Sequence, residues 1–267
     1  MSFFDRIFKT NKDSSPVTVA EPKTPEESNI TTVMSEKVKF SIDGKECLAD
    51  KGENLVEAAK ANGVYIPTLC HLEGIKPAGS CRICNVKING RFMTACTTNV
   101  ADGMVIENST PDIEELRKII VETLFVSGNH YCPACEKSGN CELQALGYKF
   151  TMLVPRFPFE FEEKAVDACS DKLYIDRNRC VLCKRCVRSI KTEDGKSIFA
   201  FKNRGHHAMI NVDHKLANLM TDEQAQEAMD TCPVGSILKK ERGFVDPIGS
   251  RKFDKTPIGS EIESVTK

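Results

Sequence analysis

Strict alternation opens the patterned part of the chain. Val38, Phe40 and Ile42 take every second position, the period of a strand with one face buried, and Asp43-Gly44 supplies a two-residue hairpin turn. The period then lengthens: Leu55, Ala58 and Ala59 mark the inner face of a short helix from Asn54 to Asn62, stopped by Gly63. Val86-Lys87-Ile88, an Asn89-Gly90 turn and Arg91 to Ala95 predict a second hairpin, and Met104 to Glu107 closes a compact β-rich module over 36–108. Thr110 caps and Pro111 opens a helix with Ile113, Leu116, Ile120 and Leu124 at helical spacing; Gly128 ends it, and it reads as a packing element. Leu173 to Ile175 predicts a strand. Thr221 with Gln224 predicts a capping box on a helix that runs up to Cys232-Pro233.

The two ends lack this order. Phe3, Phe4, Ile7 and Phe8 would form one face of a very short helix, either a docking patch or a frayed tail; a helix that short is marginal alone, which favours the tail. From Asn11 to about residue 35 the Ser, Thr, Pro, Glu and Lys content predicts a flexible linker, so 1–35 is read as an extension. The tail over 241–267 is punctuated by Pro and Gly and is expected to wrap a neighbour.

Composition sharpens this at one point. A length of 267 residues suits roughly two or three small domains, and a net charge of −1 argues against a sequence-independent nucleic-acid binder. Neither a secretory signal nor a bilayer-length apolar run is visible, so a cytoplasmic protein without membrane association is expected. Thirteen cysteines, an odd number, then point to reduced, metal-bound thiols rather than disulfides. The chain has neither a G-x-G-x-x-G after a strand nor a G-x-x-x-x-G-K-S/T, and no catalytic triad or carboxylate pair converges in sequence. Electron transfer is the chemistry left, with no substrate site of the chain's own.

The cysteines fall into three groups. Cys70, Cys81, Cys84 and Cys96 are spaced C-x10-C-x2-C-x11-C, with Gly74, Pro77 and Gly79 bending the intervening loop. A close pair in a loop, one cysteine ahead and one behind can surround a [2Fe–2S] cluster; tetrahedral zinc is the rival, but it usually takes two close C-x2-C hooks. His130, Cys132, Cys135 and Cys141 form H-x-C-x2-C-x5-C within twelve residues, and the crowding of three thiols around the imidazole favours His130 as a ligand. Cys180, Cys183 and Cys186 with the distant Cys232-Pro233 give the ferredoxin signature of a [4Fe–4S] cluster. Ile190 stands where a further cysteine would open a second cluster of that type, so one is expected.

Arg177, Arg179, Lys184, Arg185, Arg188 and Lys191 surround the third group, either offsetting cluster charge, steering an acidic partner or forming a plain solvated face. His206 and His207 are read as surface residues. Cys47 reads as a buried apolar filler on a strand, and Cys169 stays open as a further ligand.

The succession of the C-x10-C-x2-C…C module, GNHYCPACEKSGNCELQ (128–144), DRNRCVLCKRCVR (176–188) and TCPVG (231–235) resembles the N-terminal region of the large iron–sulfur subunit of respiratory complex I. It is more similar still to the small iron–sulfur diaphorase subunit of cytoplasmic NAD(P)-reducing [NiFe] hydrogenases. Three features carry that preference: the GNH-x-C arrangement, with Gly128 where complex I has its histidine, an end soon after the third group, and the VDPIGSRKFD ending (245–254). Over 36–256 the resemblance implies an α+β chain: a β-grasp [2Fe–2S] ferredoxin domain (36–108), a [4Fe–4S] domain with one histidine and three cysteine ligands (109–150) and a ferredoxin-like [4Fe–4S] domain (170–240). By the same resemblance Cys70, Cys81, Cys84 and Cys96 hold [2Fe–2S]. His130, Cys132, Cys135 and Cys141 hold one [4Fe–4S], and Cys180, Cys183, Cys186 and Cys232 the other. The implied role is electron relay between the small and large subunits of a [NiFe] hydrogenase and an FMN-containing, NAD(P)-reactive flavoprotein. The alternatives are the same relay in a formate dehydrogenase, an electron-bifurcating complex or a complex I-like enzyme, and, more distantly, a zinc-stapled scaffold.

Overall fold

A computed structural model describes residues 36–240 and 243–264; the apolar patch at 3–8 and the linker after it lie outside the described residues. The alternating stretch forms β1 (Lys37–Ile42), which pairs antiparallel with β2 (Lys45–Asp50). Asp43 and Gly44 between them have φ of 49° and 80°, the left-handed conformation that a tight hairpin turn requires. Val38, Phe40 and Ile42 point inward beside Cys47 and Ala49, so Cys47 is the buried filler expected of it. Asn54 caps α1 (Leu55–Ala61) by accepting from the Val56 N–H at 3.0 Å, and Leu55, Val56, Ala58 and Ala59 join the same core.

The second hairpin pairs β3 (Asn85–Ile88) with β4 (Arg91–Thr94), and β5 (Met104–Glu107) inserts between the two hairpins, parallel to β1 and antiparallel to β3. The resulting order, β2-β1-β5-β3-β4, is a mixed sheet closed by a helix, the β-grasp arrangement.

Helix α2 (Pro111–Val126) differs from its expected face. Ile113, Arg117, Val121, Glu122 and Val126 are buried, whereas Leu116, Ile120 and Leu124 are half-buried. Arg117, 1% exposed, takes the inner position because it donates to the carbonyls of Ile83 (3.1 Å), Asn85 (2.9 Å) and Asn108 (2.8 Å) and to the Asn108 side chain (2.8 Å). Burial lowers its pKa to about 10, which leaves it charged at neutral pH. Thr110 stands at the N-cap position, but its hydroxyl donates to Asp112 (2.6 Å) instead of accepting from the helix.

The remainder is built from small pieces: α3 (Glu142–Lys149), β6 (Leu173–Ile175) paired with β9 (Ile237–Lys239), α4 (Arg185–Ser189), β7 (Phe199–Lys202) paired with β8 (Met209–Val212), α5 (His214–Asn218), α6 (Asp222–Thr231) and α7 (Ser260–Glu263). The capping box forms as expected: the Gln224 N–H donates to the Thr221 hydroxyl at 3.2 Å, and the Thr221 N–H to the Gln224 side chain at 2.9 Å. These pieces share one core, to which the first module contributes Leu69 and Ile83.

The described tail packs in part on its own chain. The Phe253 N–H donates to the Gly139 carbonyl (2.9 Å), the Lys252 N–H to the Asn140 side chain (2.8 Å), and Ile258 is buried in the shared core. The turn at 137–140 has main-chain and amide groups to satisfy, and the tail supplies their partners. Among the described residues no helix is long and apolar enough to cross a membrane.

Replacing Arg117 by Met keeps the volume but leaves buried carbonyls without donors. We expect Arg117→Met to lower stability by about 3 kcal/mol or more, read as an earlier urea midpoint at unchanged slope; a wild-type midpoint would show that these carbonyls find other partners.

Candidate metal centres

Four thiols of the first group meet on the loop between α1 and β3 and on the turn after β4. Cys70, Cys84 and Cys96 are buried and Cys81 is half-buried. The Cys70 sulfur is in hydrogen-bond contact with Cys81 and Cys96, and Cys84 with Cys96. This contact pulls the Cys70 and Cys84 thiols down and pushes the Cys81 and Cys96 thiols up, the signature of sulfurs forced to share protons. Gly74 and Gly79 have positive φ (73° and 59°), as does Arg82 (62°), so the loop curls around the sulfurs as its glycine spacing implies.

The second group lines a small pocket together with Phe125, Leu143, Gln144, Arg179 and Gly235; His130, Cys132, Cys135 and Cys141 all face it. Burial, with the Arg179 charge behind it, lowers the His130 pKa to about 4, so the ring is neutral at neutral pH. The Leu124 carbonyl accepts from one ring nitrogen. That leaves a lone pair on the other, the state a metal-binding histidine needs. Gly128 is packed so that a Cβ would stand 2.6 Å from the Asn178 carbonyl and 3.0 Å from His130 Nε2. A side chain at 128 is excluded here, and the imidazole reaches the site from 130.

The third group, Cys180, Cys183, Cys186 and Cys232, lines a small pocket whose other walls include Ile175, Val181, Ile210, Val234 and Ile237. Burial pushes Cys180 up to about 11 and Cys183 up to about 12, and pushes Cys186 up further. In the second site burial likewise pushes Cys141 up to about 12. Burial of this kind disfavours bare thiolates, so charged sulfur becomes stable here when a cationic metal centre neutralises it.

The backbone prepares the sulfurs for that charge. Cys81 accepts from the N–H of Ile83, Cys135 from Lys137, Cys141 from Leu143 and Gln144, Cys180 from Leu182, and Cys183 from Arg185. The donor is in each case two residues on, with a second donor at Cys141. Donors aimed at sulfur favour the thiolate and tune a bound cluster. All thirteen cysteines are free thiols. The soft, convergent, dry donor sets therefore fit iron–sulfur centres.

The four arginines around the third group are drawn into the protein, and the two lysines stay at the surface. Arg177 and Arg185 are buried, Arg179 and Arg188 half-buried, and Lys184 and Lys191 exposed. Arg185 makes a fork with Glu142 (2.7 and 2.8 Å), and Arg177 pairs with Asp167 (2.6 Å). Arg179 turns toward the second site, 3.6 Å from the Cys135 sulfur, while pairing with Asp176 (3.0 Å) and Glu136 (3.3 Å). Arg188 reaches the first site instead.

Cys169 is exposed and joins none of the three groups; it lies near Asp167 and His214, where Arg177 and His214 already engage the carboxylate. His206 and His207 are exposed, with their rings 3.9 Å apart and His207 beside Glu162. Residues the sequence did not single out also shape the sites. Gly235 has no room for a Cβ beside the Cys135 sulfur, and Lys137 is buried with its ammonium on the Met229 carbonyl (2.7 Å). Arg117 steadies the backbone on either side of Cys84; the signal for it was a charged residue midway between Ile113 and Val121, on the most buried line of α2.

Three families match along the chain. Residues 35–111 match the 2Fe-2S iron-sulfur cluster binding domain, 117–156 the NADH-ubiquinone oxidoreductase-G iron-sulfur binding region, and 170–238 the ferredoxin-like domain of NADH-quinone oxidoreductase subunit 3. The alpha subunit of the NADPH-Fe(3+) oxidoreductase of Geobacter sulfurreducens is 32% identical over 76% of this chain, and a subunit of the NADH-quinone oxidoreductase of Rhizobium meliloti is 32% identical over 75%. The chain spans 24% of the length of each. A crystal structure of NAD+-reducing [NiFe]-hydrogenase in the H2-reduced state contains a chain with TM-score 0.76 and 35% identity, covering 82% of this chain and 94% of that one. The gamma subunit of the NAD-reducing hydrogenase HoxS of Cupriavidus necator is 47% identical over 81% of this chain and 93% of its own length. The chain belongs to the family of that hydrogenase gamma subunit.

Proposed function

We propose that this protein is the electron-relay iron–sulfur subunit of a cytoplasmic NAD(P)-linked [NiFe] hydrogenase. In that role it stands between the hydrogenase small and large subunits and an FMN-containing flavoprotein that reacts with NAD(P), and it has no substrate site of its own. The observation that carries this reading is the convergence of three buried sulfur-rich donor sets on one chain that matches the HoxS gamma subunit over nearly its whole length.

In this reading residues 36–108 hold one [2Fe–2S] cluster through Cys70, Cys81, Cys84 and Cys96. Residues 109–150 hold a [4Fe–4S] cluster through His130, Cys132, Cys135 and Cys141, and residues 170–240 hold another through Cys180, Cys183, Cys186 and Cys232. When bound, such clusters accept and release single electrons without moving heavy atoms. The chain's own residues do the rest. The i+2 amides hold charge on sulfur, the Leu124 carbonyl fixes the His130 ring, and Ile175, Ile210 and Val234 keep water from the third site. The exposed Leu153, Val154 and Phe159 offer the apolar surface that a subunit of a larger assembly covers. A second reading, the same relay in an NADPH-Fe(3+) or NADH-quinone oxidoreductase, rests on the more distant matches and has less of those proteins' length behind it.

Anaerobic co-purification with metal and flavin analysis tests the assignment. Nickel, FMN and hydrogenase subunits are expected to accompany the chain; molybdenum, or a quinone-reducing assembly without nickel, would move the relay to another enzyme. Iron should approach about ten atoms per chain, two for the first site and four for each of the others. A reproducible count near about six would remove one of the [4Fe–4S] assignments, and a colourless, zinc-loaded protein would overturn the relay reading.

Two substitutions address the second site. His130→Cys should keep four iron atoms there but lower the midpoint potential, because a thiolate adds negative charge where a neutral imidazole stood; an unchanged redox titration would remove His130 from the ligand set. Gly235→Ala places a methyl group against the Cys135 sulfur and should deplete iron from the second site, read as loss of its low-temperature EPR signal. Retention of that signal at full intensity would mean that the 232–235 turn yields easily.

A further inference from the structure

Arg188 stands apart from the other arginines around the cysteine sites. It lies in α4, two residues after Cys186, yet its guanidinium leaves the helix and crosses to the first module. It donates to the carbonyls of Lys76 (2.5 Å) and Cys70 (2.6 Å) on the loop of the first site, and to those of Lys184 (3.1 Å) and Cys183 (3.4 Å) on the loop of the third. One nitrogen, Nη2, serves both Cys70 and Cys183, so the two carbonyl oxygens lie within about 6 Å of each other, the two distances together. One cation thus holds the backbone of a residue from each donor set.

Its charge also differs in kind. Arg177, Arg179 and Arg185 each face a carboxylate, from Asp167, from Asp176 and Glu136, and from Glu142. Among the described residues, the hydrogen-bond partners of Arg188 are all neutral carbonyls. A half-buried cation whose partners among the described residues are carbonyls from both loops acts on the two neighbouring sites at once, because fields reach further in a medium of reduced dielectric constant.

We propose that Arg188 is a positioning residue that sets the separation between the first and third sites and raises the reduction potential of both. The inference rests on the relay reading above, since it supposes [2Fe–2S] in the first site and [4Fe–4S] in the third. The step it serves is the movement of one electron from whichever of the two centres is reduced to its oxidised neighbour. No bond forms or breaks and no proton is required. Rigid spacing matters because electron transfer rates fall steeply with distance. The positive charge matters because each reduction adds a negative charge close to it.

The test uses the complete complex, purified anaerobically, with Arg188→Gln and Arg188→Lys. Iron per chain, midpoint potentials and the EPR spectrum of the fully reduced protein are compared with wild type. Gln removes charge and fork together: iron should be retained, both midpoint potentials should shift downward, and the mutual broadening of the two EPR signals should weaken. Lys restores the charge without the fork, so the potentials should return toward wild type while the broadening stays weak. Unchanged potentials and broadening in both variants at full iron content would overturn the proposal, and so would loss of iron from both, which would make Arg188 a folding residue only. A wild-type complex lacking the two signals would instead defeat the relay reading, and the two failures are thereby told apart.

Discussion

A loop that turns its N–H groups toward sulfur turns its carbonyls away, and carbonyls buried in that way need donors from elsewhere. Each cysteine-bearing loop of this chain meets that constraint, and arginine meets it repeatedly. Arg117 serves the carbonyls flanking Cys84 from α2, and Arg188 serves those of Cys70 and Cys183. Arg179 reaches the Gly235 carbonyl beside Cys135 at 3.4 Å. The guanidinium suits the task because it carries five donors in a fixed fork and keeps its charge when buried. The donors come from other elements of the chain, so satisfying one loop also fastens it to the next, and the small helices and two-stranded sheets of the second half acquire a common frame.

The same arrangement moderates charge. Bound clusters with thiolate ligands bring negative charge into a dry interior, and cations nearby offset it at lower desolvation cost than isolated charges would incur. Three of the arginines are in turn neutralised in part by carboxylates, so the local field around the second and third sites is tempered rather than strongly positive. Where the spacing is tightest, glycine replaces charge as the device. Gly128 and Gly235 stand where even a single methyl group would clash, the first with the Asn178 carbonyl and the second with the Cys135 sulfur.

Local features were legible in the sequence. The Asp43-Gly44 and Asn89-Gly90 turns and the Thr221 and Gln224 capping box each depend on residues within a few positions, and the structure reproduces them. Long-range features were not legible. The position of Arg179 just before Cys180 places it with the third site in sequence, whereas its side chain points to the second site across 44 residues of sequence. Periodicity counts apolar residues and so draws the α2 face through Leu116 and Ile120; it cannot anticipate that a guanidinium with carbonyl partners takes a core position. The Pro/Gly punctuation of the tail gives no hint of its attachments at Gly139 and Asn140, which lie more than a hundred residues away in sequence.

These internal attachments bear on how the same segment serves proteins of different size. It spans 93% of the hydrogenase gamma subunit and 24% of the matched NADPH-Fe(3+) and NADH-quinone oxidoreductase chains. In this chain Arg117, Arg179, Arg185 and Arg188 all find partners among residues 36–240, and Leu69 and Ile83 of the first module complete the core that holds Cys141, Cys186 and Cys232. The frame around the three cysteine groups is thus built from contacts within the segment itself.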